Sequence, residues 1–416
     1  MKKKIIIALI IIATGIGLYF SIKGALSYRA KAAERAFLEA QNQAIEDTIN
    51  SHRIKNLQGK TADPFGEDKI AQILFIGLDS RIGQENGHCD AIQLISINNN
   101  AETINITAVP RGAYSPLPPG TAATSSDYYV ANACGLGGLD YGIKQIEKIL
   151  GVKADYLIVV GFSEALGIIR NLRLPTIETL QWLRNRHGYA IGEPQRAHNH
   201  SSFIKQMMTE FVPTKKSKLD TPLQYILYKL IKTDLSFAQA QEIIEAVSAM
   251  DIANHPEKII LSMRPLYPVQ DIPYDPERID EYLDQTLGPI KNQLSKDDYS
   301  GAPGETVQEK LLNLIEKNKN NPEFISWAWQ NNLWLQIEDA HQRLATQYDL
   351  LVCYLPLLSD EKERESVIVD YILEMENRDE SVWNKKAKDL LKLKNEANPI
   401  QSKDFPDRLS YLPGRL

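Results

Sequence analysis

Acidic and basic side chains stand at the ends of three apolar runs between residues 73 and 114. Asp79 and Arg81 follow the first run. Asp90 precedes the second run, and Arg111 follows the third. Carboxylates bind Mg²⁺ together with the phosphates of a substrate, and arginine binds a phosphate through two parallel hydrogen bonds. These residue types therefore predict a joint site for a metal ion and a phosphate group, with ordinary solvated loop charges as the alternative.

The three apolar runs predict the strands that would bring these side chains together. Ile73–Leu78 is continuous and β-branched, which is typical of a buried strand. Ile92–Ile97 and Ile104–Val109 predict two more strands, and the Asn98–Glu102 link, rich in turn residues, indicates a hairpin. If neighbouring strands run up, down and up, then the end of the first, the start of the second and the end of the third share one edge of the sheet.

A second concentration of basic side chains occurs in residues 183–202. Its members are Arg184, Arg186, Arg196, His187, His198 and His200. A cluster of arginines is a natural receptor for an anion. The three histidines are an alternative Zn²⁺ site, although the two-residue spacing of His198 and His200 is not the usual one on a zinc-binding helix. A solvated basic loop is the remaining interpretation.

The composition is that of a globular protein with two or three domains. The 416 residues are 43% apolar and 24% charged, which is enough apolar material for a real core. The net charge of −6 argues against a nucleic-acid-binding protein. Of the three cysteines, Cys89 and Cys134 fall in the same predicted domain and are either bridged or free. No Cys-x-x-Cys metal motif occurs.

The N-terminus has the pattern of a membrane anchor. Lys2–Lys4 precede an apolar run from Ile5 to Phe20, which can be extended through Ile22. This is about the minimum length for a membrane-spanning helix, and the preceding positive charges place the bulk of the chain outside the cell membrane. A cleaved signal peptide is the alternative. Residues 23–68 combine a helix-forming composition with a polar linker, which predicts a stalk.

The remaining pattern predicts an α/β domain followed by an all-α domain. Apolar residues at helical spacing indicate a helix ending at Leu150, and Tyr156–Val160 indicates a strand. A hairpin followed by helix, strand and helix argues for a mixed central sheet flanked by helices. Gly301–Gly304 marks a domain boundary, beyond which apolar residues recur at helical spacing. We therefore divide the chain into segments 1–22, 23–68, 69–300 and 301–416.

Motifs between residues 73 and 265 resemble those of the LytR–CpsA–Psr family of cell-envelope glycopolymer transferases. In chain order they read ILFIGLDSR, HCDAIQLISIN, ITAVPRGAY, ILGVKADYLIVVGF, RNRHGYAIGEPQRAHNH and KTDLS. The resemblance implies an enzyme that binds a polyprenyl-pyrophosphate-linked glycan at the outer face of the membrane. Such an enzyme transfers the phosphoglycan to a hydroxyl of peptidoglycan in the cell wall.

The resemblance also implies roles for individual residues. Asp79 and Asp90 would hold Mg²⁺ and, with Arg111, carry the catalysis. The pyrophosphate binders that it implies are Arg81, Arg111, Arg184, Arg186 and Arg196. Phosphoryl transfer needs charge neutralisation and positioning more than covalent help, which suits this set of residues.

The chain departs from the family pattern within the site. The family usually reads Arg-Ser-Asp where this chain has His88-Cys89-Asp90. It usually reads Pro-Arg-Asp where this chain has Pro110-Arg111-Gly112, so a glycine replaces the acid. The Gly-Asp…Arg…Arg-Gln run of the family appears here as Gly192-Glu193…Arg196…Asn199-His200. Losing a charged contact to phosphate costs about 1.5–3 kcal/mol. Protonated His88 and His200 are the expected partial replacements.

Three functions therefore follow. The first is a membrane-anchored, Mg²⁺-dependent phosphotransferase that moves a glycopolymer from a polyprenyl-pyrophosphate carrier to the cell wall. The second is a non-catalytic polyprenyl-pyrophosphate-binding or envelope-assembly scaffold protein, with a protein partner bound through the C-terminal helices. A pyrophosphatase that uses water as the acceptor is the third.

Overall fold

The computed structural model describes residues 43–53, 63–79, 86–187, 189–212, 220–287 and 304–397. The chain divides into two compact units between Asn313 and Leu314. The predicted membrane segment 1–22 and the predicted domain boundary at residues 300 and 301 lie outside the described ranges. Within those ranges, no helix combines the length and the apolar character that a bilayer crossing requires.

A six-stranded mixed sheet is the centre of the first unit. The strands are β1 (Ile70–Asp79), β2 (His88–Asn98), β3 (Thr103–Ala108), β4 (Tyr156–Gly161), β5 (Lys232–Thr233) and β6 (Ile259–Met263), in the order β5-β4-β1-β2-β3-β6. β2 is antiparallel to β1 and β3, whereas β4 is parallel to β1 and β6 is parallel to β3. The three predicted strands, their up-down-up course and the mixed sheet are confirmed.

The two faces of the sheet bury separate apolar layers. In β1, Leu74, Ile76 and Leu78 lie in one layer, while Ala71 and Ile73 lie in the other. This alternation follows from the two-residue period of a strand. Because both faces are covered, the central strands are apolar almost throughout, which is why their runs are so readable in the sequence.

Helices supply the other side of each layer. In the first unit they are α1 (residues 43–53), α2 (Val130–Gly137), α3 (Leu139–Leu150), α4 (Phe162–Asn171), α5 (Thr176–Arg184), α6 (Gly192–Phe211), α7 (Asp220–Lys229), α8 (Phe237–Ala249) and α9 (Ile279–Leu287). α1, α2 and α3 pack in the layer that holds Leu74. α6 and α8 pack in the layer that holds Ile73. The α/β expectation for this part of the chain is thereby confirmed.

Helix α1 lies in the segment predicted to be a stalk. It is helical, as its composition predicts, but its Ile45 and Ile49 side chains are buried in the first apolar layer. The Arg53 guanidinium at its end donates a hydrogen bond to the Thr233 carbonyl at 3.0 Å. Two apolar residues four positions apart form one stripe of a helix, so these residues belong to the domain core rather than to a free-standing stalk.

The second unit is all-helical across its described residues, as predicted. The helices are α10 (Gly304–Asn318, which spans the division between the units), α11 (Pro322–Gln330), α12 (Ala340–Tyr354), α13 (Glu361–Asn377) and α14 (Ser381–Ala397). Leu351, Tyr371 and Met375 lie in its core. Trp327 and Trp334 are buried, so these two tryptophans fill the interior of the unit.

Replacing Ile49 by alanine tests whether α1 belongs to the first unit. Removal of this buried side chain should lower the opening free energy of the β1 amides by about 2–5 kcal/mol, because the cavity adds to the lost transfer energy. Native-state hydrogen exchange of the full chain in mild detergent measures this, with amides of α12 as an internal reference. Glu46→Ala, on the exposed side of α1, should change it little. Equal protection in both variants would contradict the assignment.

Candidate functional site

A β-bulge decides where Asp90 points. Gly77 of β1 pairs with Ala91 of β2, but the next residue, Leu78, pairs with Cys89. Asp90 is therefore the extra residue of β2, without a partner of its own in β1. A bulge of this kind bends its strand and re-aims a side chain.

The bulge also reverses the side-chain alternation of β2. Cys89 lies in the same apolar layer as Ile92, an arrangement that a regular strand with a two-residue period does not allow. Asp79, six residues after Ile73 on the regular strand β1, falls on the opposite face, which α6 covers. The main-chain and side-chain contacts of Asp90 are made on this same α6 side.

Asp90 and Arg111 form an ion pair at the edge predicted from the strand order. The Arg111 Nη1 atom lies 2.5 Å from Asp90 Oδ1. Their side chains are 23% and 28% exposed, so the pair is partly sheltered yet open to a ligand. Arg111 follows β3 after Val109 and Pro110. The Val109 amide still donates to the Ile92 carbonyl of β2 at 3.0 Å, which holds the start of the loop against the sheet.

Helix α6 and the segment before it add three more charged groups. The Arg196 Nη2 atom lies 2.8 Å from Glu193 Oε2 and 3.5 Å from the Asp90 carbonyl oxygen. The Arg186 Nη1 atom donates to Glu193 Oε1 at 3.0 Å. The structure thus brings Asp90, Arg111, Arg186, Glu193 and Arg196 together, and we call these five residues the edge cluster.

The edge cluster has the net positive charge that attracts an anion. Three guanidiniums face two carboxylates, which leaves one positive charge in excess. Burial raises the pKa of Glu193, but Arg196, Arg186 and Arg111 together outweigh burial and hold that pKa below its usual value. Burial lowers the pKa of Arg196, and Glu193 and Asp90 oppose this effect. An arginine stays protonated in proteins, so Arg196 keeps its charge and Glu193 is held in its ionised form.

Two buried glutamines hold α6 in place over the sheet. Gln93 of β2 donates from Nε2 to the Ala197 carbonyl at 3.0 Å and accepts from Ser201 Oγ at 2.6 Å. Gln195 donates to the Gln270 carbonyl at 2.7 Å and accepts from the Gln270 amide at 2.9 Å. Buried polar groups of this kind are costly unless paired, so they fix the position of Arg196 relative to Asp90.

The other predicted site residues have different neighbours. The Arg184 guanidinium carbon lies 5.6 Å from the centroid of the Phe162 ring, a cation–π contact. The His88 imidazole lies against Gly135 of α2, where an added Cβ would come within 2.6 Å of the ring. Arg81 lies outside the described residues.

His200 is not the cationic replacement that the sequence suggested. Its Nε2 atom lies 2.7 Å from the Leu183 carbonyl oxygen, so the neutral ring donates there. Burial, and then the charge of Arg196, lower the pKa of His200 to about 4. The expectation of a protonated His200 is therefore wrong at neutral pH. His198 Nε2 lies 2.6 Å from Asp271 Oδ1, so neither histidine turns toward a shared zinc site.

The site fits a metal ion only if the phosphates of a substrate supply part of its coordination shell. Among the described residues, no group of three or more His, Cys, Asp or Glu side chains is placed to hold a metal. Asp79 and Asp90 lie on the α6 side of neighbouring strands. One or two carboxylates are what Mg²⁺ uses when substrate phosphates and water complete its shell. These residues fit a metal that arrives with a phosphate, not a resident ion held by protein alone.

A disulfide lies next to the site, on the face of the sheet opposite α6. Cys89 is bonded to Cys134 of α2, with the two Cα atoms 5.8 Å apart. This settles the alternative that the sequence left open. The bond ties the bulged end of β2 to a helix on the face opposite α6, directly beside Asp90.

Two residues of the arrangement were not predicted as site residues. Glu193 had a signal, because an acid three residues before Arg196 is typical of an ion pair on a helix. Gln93 had a weaker one, as a single polar side chain within an apolar run. Neither signal says that the partner of each residue lies on another segment of the chain.

Comparisons with known proteins agree on one family. Residues 31–175 match the model of the LytR_cpsA_psr family. The polyisoprenyl-teichoic acid–peptidoglycan teichoic acid transferase TagU of Bacillus cereus is 25% identical over 195 residues, which are 46% of this chain and 59% of that protein. TagT of Bacillus subtilis, with the same activity in its name, is 26% identical over 147 residues, 33% of this chain and 42% of that protein.

Solved structures with a similar course are more distant. The crystal structure of Bacillus subtilis TagV covers 53% of this chain and 98% of its own, with 15% identity and a TM-score of 0.40. A LytR-Csp2A-Psr enzyme from Actinomyces oris covers 54% of this chain and 90% of its own, with 14% identity and a TM-score of 0.38. At these scores the likeness adds nothing to the fold described above.

The buried His200 predicts a pH dependence of stability. Its folded pKa, about 4, lies below the ordinary 6.5, so the unfolded chain takes up the proton first as the pH falls. Stability is therefore present above pH 6.5 and is lost toward pH 4. Between pH 7 and pH 5, protonation of His200 in the unfolded chain should lower the free energy of unfolding by about 2 kcal/mol. Hydrogen exchange of first-unit amides measures this loss of opening free energy. The loss should be smaller in His200→Gln than in the wild type, by about the contribution of His200.

The exposed His255 is the matched control for this experiment. His255→Gln should keep the pH dependence of the wild type, because its imidazole is about half exposed. Equal losses for His200→Gln and the wild type would show that His200 is not buried in its neutral form.

Proposed function

The chain belongs to the LytR–CpsA–Psr family through residues 31–175, and from this premise we propose that it is a membrane-anchored phosphotransferase of the cell envelope. Its donor is a glycopolymer on a polyprenyl-pyrophosphate carrier, and its acceptor is a hydroxyl of peptidoglycan. The edge cluster carries the proposal, because it gathers arginines and carboxylates from separate segments at one edge of the sheet. The activity in the names of the relatives TagU and TagT supports the substrate class.

The reaction is a transfer of a phosphorylated glycan. The acceptor oxygen forms a bond to the glycan-linked phosphorus, and the bond from that phosphorus to the bridging oxygen breaks. Polyprenyl phosphate leaves with the electron pair of the broken bond. The proton of the acceptor hydroxyl passes to a base, which is water or a carboxylate of the site. No oxidant or other co-reactant is needed.

The arginines of the edge cluster do the electrostatic work. Among the residues that contact Asp90, Arg111 is the one most accessible to a ligand. A phosphate oxygen takes the place of the Asp90 carboxylate beside Arg111, or binds Arg111 together with it. Arg196 is buried and fixed by Glu193, so it stabilises charge without having to reorganise during the reaction. Arg186 has a side chain that is 45% exposed, which lets it reach a pyrophosphate from the outer side.

The carboxylates complete the site. Asp79 and Asp90 would hold Mg²⁺ together with the pyrophosphate, and the ion would neutralise developing charge on the phosphate oxygens. Asp90 also orients the Arg111 guanidinium, because a charged hydrogen bond fixes the plane of the fork.

The proposed location is the outer face of the cell membrane. The apolar run at residues 5–22 supplies the anchor in this proposal, and its flanking lysines supply the orientation. The Cys89–Cys134 disulfide supports it, since disulfides persist in oxidising compartments.

Non-catalytic binding of a polyprenyl pyrophosphate is the second candidate function. One observation favours it. Gly112 stands where the family usually has an acid next to the arginine, and an added Cβ there would meet nothing within 4 Å. The site therefore has its anion-binding groups but lacks a carboxylate at this position that would accept the hydroxyl proton.

Removal of the Arg111 guanidinium tests the transferase. The full chain in detergent, given Mg²⁺, a polyprenyl-pyrophosphate glycan and a peptidoglycan fragment, should release polyprenyl phosphate, which chromatography measures. Arg111→Ala should lower kcat/KM by about 10- to 100-fold, as expected from the loss of a charged hydrogen bond worth about 1.5–3 kcal/mol. Arg111→Lys should restore part of it, because lysine keeps the charge but not the fork.

Arg278→Ala is the control for that experiment. This arginine pairs with Glu281 on α9, and its side chain is 71% exposed, so activity should not change. Tight binding of the lipid by the wild type without any release would support the second candidate function and count against the first.

Placing an acid at position 112 tests whether a carboxylate beside Arg111 can act as the base. Gly112→Asp should fit in the open space and raise the rate of transfer by about 100-fold, the lower end of what a positioned general base contributes. Gly112→Asn has the same shape without the charge and should leave the rate unchanged. Equal rates for the aspartate and asparagine variants would show that the acid has no role as a base here.

A further inference from the structure

Two tyrosines form a pair immediately after the edge cluster. Tyr114 and Tyr129 are partners in an isolated antiparallel bridge. The Ser115 amide donates to the Tyr128 carbonyl at 3.2 Å, and the Val130 amide donates to the Ala113 carbonyl at 2.9 Å. These bonds flank the pair, so Tyr114 and Tyr129 are a non-hydrogen-bonded pair, the type that brings two side chains closest on one face.

The face that carries Tyr114 is turned to solvent. Ala113, Ser115 and Leu117 are buried, while Tyr114 is 72% exposed. Gly112 is also exposed and has open space before it. Residues 111 and 112 form a turn, which the bond from the Ala113 amide to the Pro110 carbonyl closes at 2.8 Å. From Gly112 to Leu117, exposed and buried residues then alternate.

The segment is a direct continuation of the site and is firmly held. The Ala131 amide of α2 donates to the Arg111 carbonyl at 3.1 Å, and the Tyr141 hydroxyl of α3 donates to the Pro116 carbonyl at 3.2 Å. Arg111 and Tyr114 are therefore three residues apart on one fixed segment, with the open position of Gly112 between them.

We propose that Tyr114 and Tyr129 form a platform on which a sugar ring of the acceptor glycan stacks. The proposal rests on the proposed function and adds the place from which the acceptor reaches the phosphate. Scattered single aromatic residues on a surface need no explanation, but these two are paired by the backbone and stand beside an anion site. The platform is defined as the exposed ring of Tyr114 together with the half-buried ring of its bridge partner Tyr129.

The chemistry of the platform fits a glycan better than an acyl chain. A tyrosine ring offers an apolar face for the C–H groups of a pyranose ring, and its hydroxyl offers a hydrogen bond to sugar hydroxyls. The Ser- and Thr-rich loop between the two tyrosines, residues 115–127, adds polar groups rather than an apolar slot. An acceptor held there presents its hydroxyl across Gly112 to a phosphate bound at Arg111.

The test measures binding and turnover separately on the full chain in detergent. A soluble glycan-strand fragment of peptidoglycan is titrated and followed by saturation-transfer NMR. Tyr114→Ala should raise its Kd about 5-fold, within the range of aromatic contact energies, and Tyr114→Phe should keep most of the affinity. Tyr128→Ala is the matched control, because Tyr128 is also an exposed tyrosine (40%) but alternates with Tyr129 along the strand. It should bind like the wild type. Binding of polyprenyl pyrophosphate should be unchanged in all three.

The outcomes separate this proposal from the proposed function. No fragment binding by the wild type, or equal affinities for wild type and Tyr114→Ala, would overturn the platform whether or not the protein turns over. Weaker binding of polyprenyl pyrophosphate by Tyr114→Ala would assign the tyrosines to the donor and also overturn it. Fragment binding that depends on Tyr114, in a protein that releases no polyprenyl phosphate, would sustain the platform and count against the transferase.

Discussion

The bulge at Asp90 is the constraint on which the site depends. A strand can present residues to two faces only in alternation, and here Cys89 must enter one core while Asp90 must meet charges on the other side. One extra residue in β2 satisfies both demands. Without it, the carboxylate that pairs with Arg111 would face the apolar layer, where an ionised group is expensive to bury.

The two faces of the sheet hold this bulge from opposite sides. On one face the disulfide from Cys89 to Cys134 ties the bulged strand to α2. On the other, Gln93 binds the backbone and a hydroxyl of α6. Charged groups on β2, on α6 and on the segment after β3 thus keep a fixed geometry, which is what electrostatic stabilisation of a phosphate requires.

Charge balance explains why a buried arginine is tolerated in this arrangement. Arg196 is desolvated, but Glu193 and the Asp90 region supply compensating negative charge. Glu193 in turn is kept ionised by three guanidiniums. Beside this group, Gly112 leaves open space and His200 stays neutral, so the charge of the cluster is that of its own five members.

The sequence by itself determined the central strands, the hairpin order and the edge at which Asp90 and Arg111 meet. It could do so because strands covered on both faces must be apolar throughout, and because neighbouring antiparallel strands share edges. The helical character of residues 43–53 was equally plain, but a composition carries no information about what a helix packs against. Burial of Ile45 and Ile49 was therefore decided by the fold.

Only the tertiary structure decided the finer geometry of the site. The bulge, the bridging of two arginines by Glu193, the neutral state of His200 and the pairing of Tyr114 with Tyr129 each depend on contacts between residues far apart in the chain or on burial. Local patterns report the periodicity of a segment and the types of its side chains. They do not report which groups lose their water on folding, and that loss fixes both charge states and partners.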